Sequence, residues 1–178
     1  MDIELLGRIR QGDKSAFHEL VDRYAGQLFG VAYSLLGNAA DAEDAVQETF
    51  AGAFKGLSSF RGQASVKTWL LRILARQVAG CRRSNVRQRR ILVEAQDSSP
   101  DNTQYTAASP EVGVDQRLDV MSMLQTLSPE HRDVVVLREF EGLSYGEMAE
   151  ALGVPQGTVE SRLHRARQEL RQRFKEYL

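Results

Sequence analysis

Apolar residues recur at three- and four-residue steps along most of this chain, the spacing of one face of an α-helix. Phe17, Leu20, Val21, Tyr24, Leu28, Val31, Ala32 and Leu35 make one such stripe, with Asp13 placed to cap its start and Gly37-Asn38 to end it. A second helix is predicted from about Ala39, burying Ala42, Ala45, Val46, Thr49, Phe50, Ala53 and Phe54. Its other face carries Asp41, Asp44 and Glu48. A short loop, Leu57 to Ala64, leads to a third helix from about Ser65 to Arg90, about 39 Å long at ~1.5 Å per residue. Val66, Trp69, Leu70, Ile73, Leu74 and Val78 fall on one side of it. Arg72, Arg76, Arg83, Arg87 and Arg90 fall on the opposite side, so the pattern predicts a packed helix with a positive ridge facing outward.

The periodicity stops at Glu94 and returns only near Asp115. The 21 residues between are rich in Ser, Asp, Asn, Thr and Gln, with Pro100 and Pro110 among them. That is too long for a connection inside one compact domain, so it reads as a flexible linker of at most about 70 Å. Beyond it, Asp115 to Thr126 is helical. Ser128-Pro129 opens a further helix with Val134, Leu137 and Phe140 inward, and Gly142 stops it. Ser144 to Glu147 is a capping box, Gly153-Val154-Pro155 a turn, and a last basic helix runs from about Gln156 to Tyr177. The predicted fold is all-α: helical domains at 1–93 and 115–178 joined by the linker 94–114, the second domain a helix-turn-helix. Isolated, such domains are expected to move about the linker; bound to a partner, they would lock together.

Net charge is −1, which on its face argues against a nucleic-acid partner. Its distribution changes that picture. From Thr49 to Val93 there are ten basic residues and no acid; from Glu94 to Val114 there are four acids and no base. Pro155 to Leu178 has six basic residues against three acids. Segregated charge produces strong local fields. Cys81 is the only cysteine, so neither a disulfide framework nor a cysteine-based metal cage is expected. One helical cysteine is usually inert, although a redox role stays open. His18, His131 and His164 are scattered, no catalytic signature appears, and no cofactor, metal or enzymatic activity is expected. The start Met1-Asp2-Ile3-Glu4 is unlike a signal peptide and no apolar run is long enough to span a bilayer, so the expected location is the cytoplasm.

The sharpest motif is Leu143 to Leu163. Ala149 suits the close crossing of two helices and Gly153 the left-handed turn between them, with Met148, Leu152, Val154 and Val159 as a small core. In a helix-turn-helix the second helix enters the major groove, which makes Gln156, Thr158, Glu160, Ser161 and Arg162 readers of base edges. Arg165, Arg167 and Arg171 would meet phosphates. The loop before the long basic helix offers Ser58, Ser59, Arg61 and Gln63 for hydrogen bonds and Phe60 for stacking, a combination suited to unpaired DNA. Trp69 reads either as a stacking platform or as core. The acidic face Asp41, Glu43, Asp44, Gln47 and Glu48 reads either as a solvated surface or as the seat of a protein partner.

Over nearly its whole length the chain resembles the extracytoplasmic-function (ECF) subfamily of bacterial sigma-70 RNA polymerase sigma factors. The resemblance is carried by Asp41 to Phe50, by Phe60-Arg-Gly62 with Thr68 to Ile73, by Leu127 to Arg132, and by Gly157 to Arg167. It implies that Asp41, Asp44, Gln47 and Glu48 bind RNA polymerase core. It gives the −10 element to Ser58, Ser59, Phe60, Arg61 and Gln63, with Arg72, Arg76 and Arg83 on the following helix. It gives the −35 element to Gln156, Thr158, Glu160, Ser161, Arg162 and Arg165. The acidic linker would thread the polymerase RNA path, and an anti-sigma partner, often membrane-anchored, would hold the protein inactive. Gln77 and Gly80 stand where the family usually has Asn and Asp, and Glu160 where it often has a basic residue. The expected function is promoter-specific initiation with help in opening DNA. The rival reading is a free-standing helix-turn-helix regulator, which would normally dimerise; no heptad seam supports one.

Overall fold

In the computed structural model the described residues are 2–96 and 115–174, with side chains described for 2–88 and 120–174. Most of the predicted linker and the last four residues lie outside them. All regular elements among the described residues are helical. The first domain comprises α1 (Asp2–Arg10), α2 (Lys14–Leu36), α3 (Ala39–Gly56), a single 3-10 turn (Leu57–Ser59) and α4 (Val66–Gln96). The second comprises α5 (Asp115–Thr126), α6 (Pro129–Val135) running into a π-turn (Val136–Phe140), α7 (Tyr145–Leu152) and α8 (Gln156–Arg173).

Asp13 caps α2 as expected, accepting from the backbone N–H groups of Ser15 and Ala16, whereas Asn38, expected with Gly37 to end α2, caps α3 by accepting from the N–H groups of Ala40 and Asp41. Gly37 ends α2 at φ 72°, its N–H returning to the Tyr33 carbonyl. A side chain there would be strained, and its Cβ would also meet the Gln125 side chain at 2.8 Å. Leu20, Leu28, Leu35, Leu70, Leu74 and Val78 are fully buried in the bundle of α2, α3 and α4. Helix α1 lacks a long periodic stripe of its own. It buries Leu5, Leu6 and Ile9, and Asp2 reaches across to Arg23 and to the Tyr24 hydroxyl, which donates at 2.6 Å.

Two aromatics lie outside where periodicity placed them. Phe54 is 59% exposed, because only its edge rests on Phe17, at 5.3 Å between ring centres. Phe140 is 56% exposed. The π-turn there closes the longer Glu141 N–H to Val136 carbonyl bond at 3.3 Å, and the wider turn rotates Phe140 off the inward stripe that keeps Val134 and Leu137 buried.

The larger departure is global. The two domains, read as separate units, dock directly on each other, α7 against α4 and α6 against α2. Leu71 and Ala75 of α4 are buried. Polar groups knit the seam. Arg82 donates to Asp133 at 2.9 Å and to the Leu35 carbonyl at 2.7 Å. Arg132, buried, donates to that same carbonyl at 3.0 Å and to the carbonyls of Leu124, Gln125 and Leu127. Leu35 lies in the last turn of α2, where carbonyls lack helical partners and the helix dipole is negative, so two guanidiniums meet a site that attracts them. Burial lowers the Arg132 value, with Arg82 adding to the effect, and burial pushes the Asp133 carboxyl above the ordinary carboxylate range against the pull of Arg82.

Candidate nucleic-acid and polymerase interfaces

The helix-turn-helix forms because each local preference agrees with the next. Ser144 accepts from the Glu147 N–H while the Glu147 carboxylate accepts from the Ser144 N–H, completing the capping box. Those bonds hold the Glu147 carboxyl below its ordinary range. Gly153 turns the chain at φ 67°. Met148 and Val159 are wholly buried at the crossing of α7 and α8, joined by Leu163 and Ala166, with Ala149, Leu152 and Val154 packed around them. This fixes the orientation of α8. Gln156, Glu160, Ser161 and Arg165 point to solvent, whereas Thr158 and Arg162 are half-buried at the edge of the same face. Gln156 donates to Glu160 at 2.9 Å, so these two neighbouring candidates for base reading are coupled. Arg167, expected on phosphate, instead donates to Glu139, with its closer nitrogen at 2.5 Å. Arg165 and Arg171 make no ion pair among the described residues.

The 57–63 segment is held from below. Arg10 of α1 donates to the Leu57 carbonyl at 2.9 and 3.2 Å and also to the Phe60 carbonyl. No periodic signal in the sequence marks Arg10, since its role depends on α1 folding back beneath the loop. Phe60 lies half-buried, its ring centre 4.9 Å from that of Trp69, which joins the edge of the core. Ser58, Ser59, Arg61 and Gln63 are exposed beside them. On α4, Arg76, Arg83 and Arg87 face solvent as predicted. Arg72 does not: its side chain is 23% exposed and its Nη1 lies 2.5 Å from Glu150 of α7. The outward ridge is therefore covered along one flank, and the cause is the docked second domain.

On α3, Glu43, Asp44, Gln47 and Glu48 are exposed in a row, with Phe54 further along the helix. Asp41 is half-buried and accepts from Asn85 of α4 at 2.9 Å, so it stands apart from that row. Cys81 lies beside it. Burial, and then the Asp41 and Asp44 carboxylates, push the thiol above its ordinary range and disfavour the reactive thiolate. Among the described residues no group of His, Cys, Asp and Glu could hold a metal ion, and no helix is long and apolar enough to cross a membrane.

The described surfaces thus combine an exposed face on the second helix of a helix-turn-helix, a basic helix led by an aromatic loop, and an acidic helix face. Residues 20–88 match the family described as Sigma-70 region 2, and residues 117–170 match Sigma-70, region 4. The chain is 35% identical over 178 residues to the RNA polymerase sigma-H factor of Pseudomonas aeruginosa, covering 94% of this chain and 90% of that one. It is 40% identical over 166 residues to the ECF RNA polymerase sigma factor SigE of Mycolicibacterium smegmatis, covering 90% of this chain but 63% of that longer relative. Its fold is similar to that of the sigma factor RpoE in a co-crystal structure with the anti-sigma factor NepR from Bartonella quintana. There the TM-score is 0.67 at 28% identity, covering 89% of this chain and 96% of that one. This chain belongs to the sigma-70 family of RNA polymerase sigma factors, in its ECF subfamily.

Proposed function

We propose that the chain is an alternative sigma factor acting in the cytoplasm, a non-enzymatic subunit that joins RNA polymerase core and directs it to its own promoters. The observation that carries this is the presentation of α8. Val159, Leu163 and Ala166 anchor it inward while Gln156, Glu160, Ser161 and Arg165 project together, which suits insertion into a major groove at the −35 element. A glutamate among the readers favours a cytosine N4 donor and repels phosphate, so Glu160 would narrow the sequences accepted.

The other surfaces take complementary roles. Phe60 would stack an unpaired base of the −10 element, with Ser58, Ser59, Arg61 and Gln63 reading its edges. Arg72, Arg76 and Arg83 would neutralise the backbone as the strands part. Asp44, Gln47 and Glu48, with Asp41 at their margin, would seat a basic surface of polymerase core. The solved relative bound to an anti-sigma factor supports the same kind of control here, by a protein partner that competes for polymerase-binding surfaces.

Run-off transcription with purified core polymerase on a promoter library tests the reading. Specific start sites should appear only when the chain is added, and Asp44→Lys or Glu48→Lys should weaken holoenzyme formation by tenfold or more, ~1.4 kcal/mol. Binding to duplex DNA without any effect on core polymerase would instead make the chain a free-standing regulator.

A further inference from the structure

Two side chains at the start of α8 hold each other. Gln156 Nε2 donates to Glu160 Oε1 at 2.9 Å across one turn of the helix, and both residues are exposed. Arg162 and Arg165 stand nearby on the same helix, yet Glu160 makes no ion pair among the described residues. Its bond goes to a neutral amide, which leaves the negative charge of the carboxylate uncompensated. Beside the pair stands Gly157, also exposed. A Cβ there would meet nothing within 4 Å beyond its own helix turn and chain neighbours, so packing in the free chain does not call for glycine. Its bare backbone allows a flat surface to approach close to the pair.

An uncompensated negative charge on a helix that enters a DNA groove is a liability, because phosphates line both walls. The cost is offset where the carboxylate, which can only accept, meets an exocyclic amine. In the major groove cytosine offers such a donor at N4, whereas adenine N6 lies beside the N7 acceptor, which opposes a carboxylate. Gln156 takes one oxygen of Glu160 and leaves Oε2 free to accept. An untied glutamate loses rotamer freedom when a base fixes it, and it can also swing towards solvent when the base is wrong. A tied one has already lost part of that freedom and is less able to turn away.

We propose that Gln156 is a positioning residue for Glu160: the two act as a single reader that accepts from cytosine N4 within the −35 element, and Gln156 has no base of its own. The proposal deepens the function above and rests on its reading of α8 as the −35 helix. Discrimination then works as much by exclusion as by attraction. Thymine presents the O4 acceptor at that step and guanine presents N7 and O6, and each sets an acceptor against a carboxylate held in place. The amide sharpens the rejection of these bases as well as the acceptance of cytosine.

The test uses holoenzyme assembled from the full-length chain and purified core polymerase, on promoters whose −35 element is randomised, with the transcribed templates sequenced. With the wild-type chain one position should prefer cytosine by about tenfold. Glu160→Gln removes the charge and can bond adenine at N6 and N7, so the preference at that position should change from cytosine to adenine. Gln156→Met keeps the length and helix propensity of the side chain and removes the amide. It should lower the cytosine preference at the same position to about threefold and leave every other position unchanged. Added to Glu160→Ala, Gln156→Met should change no preference at all, the mark of two residues acting as one. If Gln156→Met instead alters a different position and spares the cytosine, Gln156 reads a base itself and the positioning role is overturned. A wild-type profile with no cytosine preference that depends on Glu160 would overturn the pair as a reader. Start sites indifferent to the whole −35 sequence would overturn the reading of α8, and the pair with it.

Discussion

Gly80 lies in the middle of α4, and nothing in the packing requires it. A Cβ there would meet only the end of the Arg83 side chain, at 3.9 Å. Gly80→Ala should therefore stabilise the chain by about 1 kcal/mol through helix propensity, measured as a higher urea midpoint with an unchanged slope. Asp2 and Tyr24 make a second residue-scale case. The Tyr24 hydroxyl bond, then Arg23, hold Asp2 below its ordinary 3.8, while burial and then Asp2 push Tyr24 up to about 12. The Asp2 contribution is present above 3.8 and lost as pH falls through its lowered folded value. The Tyr24 contribution is present below the ordinary 10 and lost as pH rises through about 12. Thermal unfolding followed against pH should show a plateau between these limbs, and Tyr24→Phe should flatten the alkaline one. Phe54 and Phe140 show where residue-level reading fails. Both sit at the edge of an apolar stripe, and whether such a residue is covered depends on a neighbour the stripe does not reveal.

At the scale of elements the sequence was legible wherever a cap, a period and a stop agreed. Asp13, Asn38, Ser128 and Ser144 each cap the helix that the apolar spacing proposes, and Gly37, Gly142 and Gly153 each take a positive φ at its end. The exposed face of α8 and the acidic face of α3 were readable for the same reason. Helix α1 was missed because nine residues with three buried positions carry little periodic signal, and the π-turn because local preference does not distinguish it from a normal turn. Arg10 was missed with α1. Since it bonds two carbonyls of the 57–60 segment, Arg10→Ala should loosen that loop, speeding amide exchange there and weakening −10 discrimination in transcription assays. Core affinity should stay unchanged, because α3 is untouched.

The whole molecule is where reading the sequence reached its limit. Local periodicity reports that a face is apolar but not which distant element covers it, so Arg72 appeared outward-facing and the domains independent. Charge segregation was the one global clue: a basic first half and acids beyond it attract each other within the chain as readily as they attract partners. Closure that rests on ion pairs across a modest apolar contact should couple the domains only while salt is low. Calorimetry should then show one unfolding transition in dilute buffer and two as salt is raised, with the first domain's own melting little changed. A single transition at all salt concentrations would mean that Leu71, Ala75 and their neighbours dominate the contact instead.

The carbonyl of Leu35 receives both Arg82 and Arg132, and it is a main-chain atom. No substitution at position 35 can delete it, so one side of this anchor is invisible to genetics. A selection for variants whose two domains separate more readily should return changes at Arg82 and Arg132. It should also return changes around Gly37, where a side chain would shift the end of α2, and leave position 35 silent. The pattern of hits and silences would map the seam without any measurement of shape.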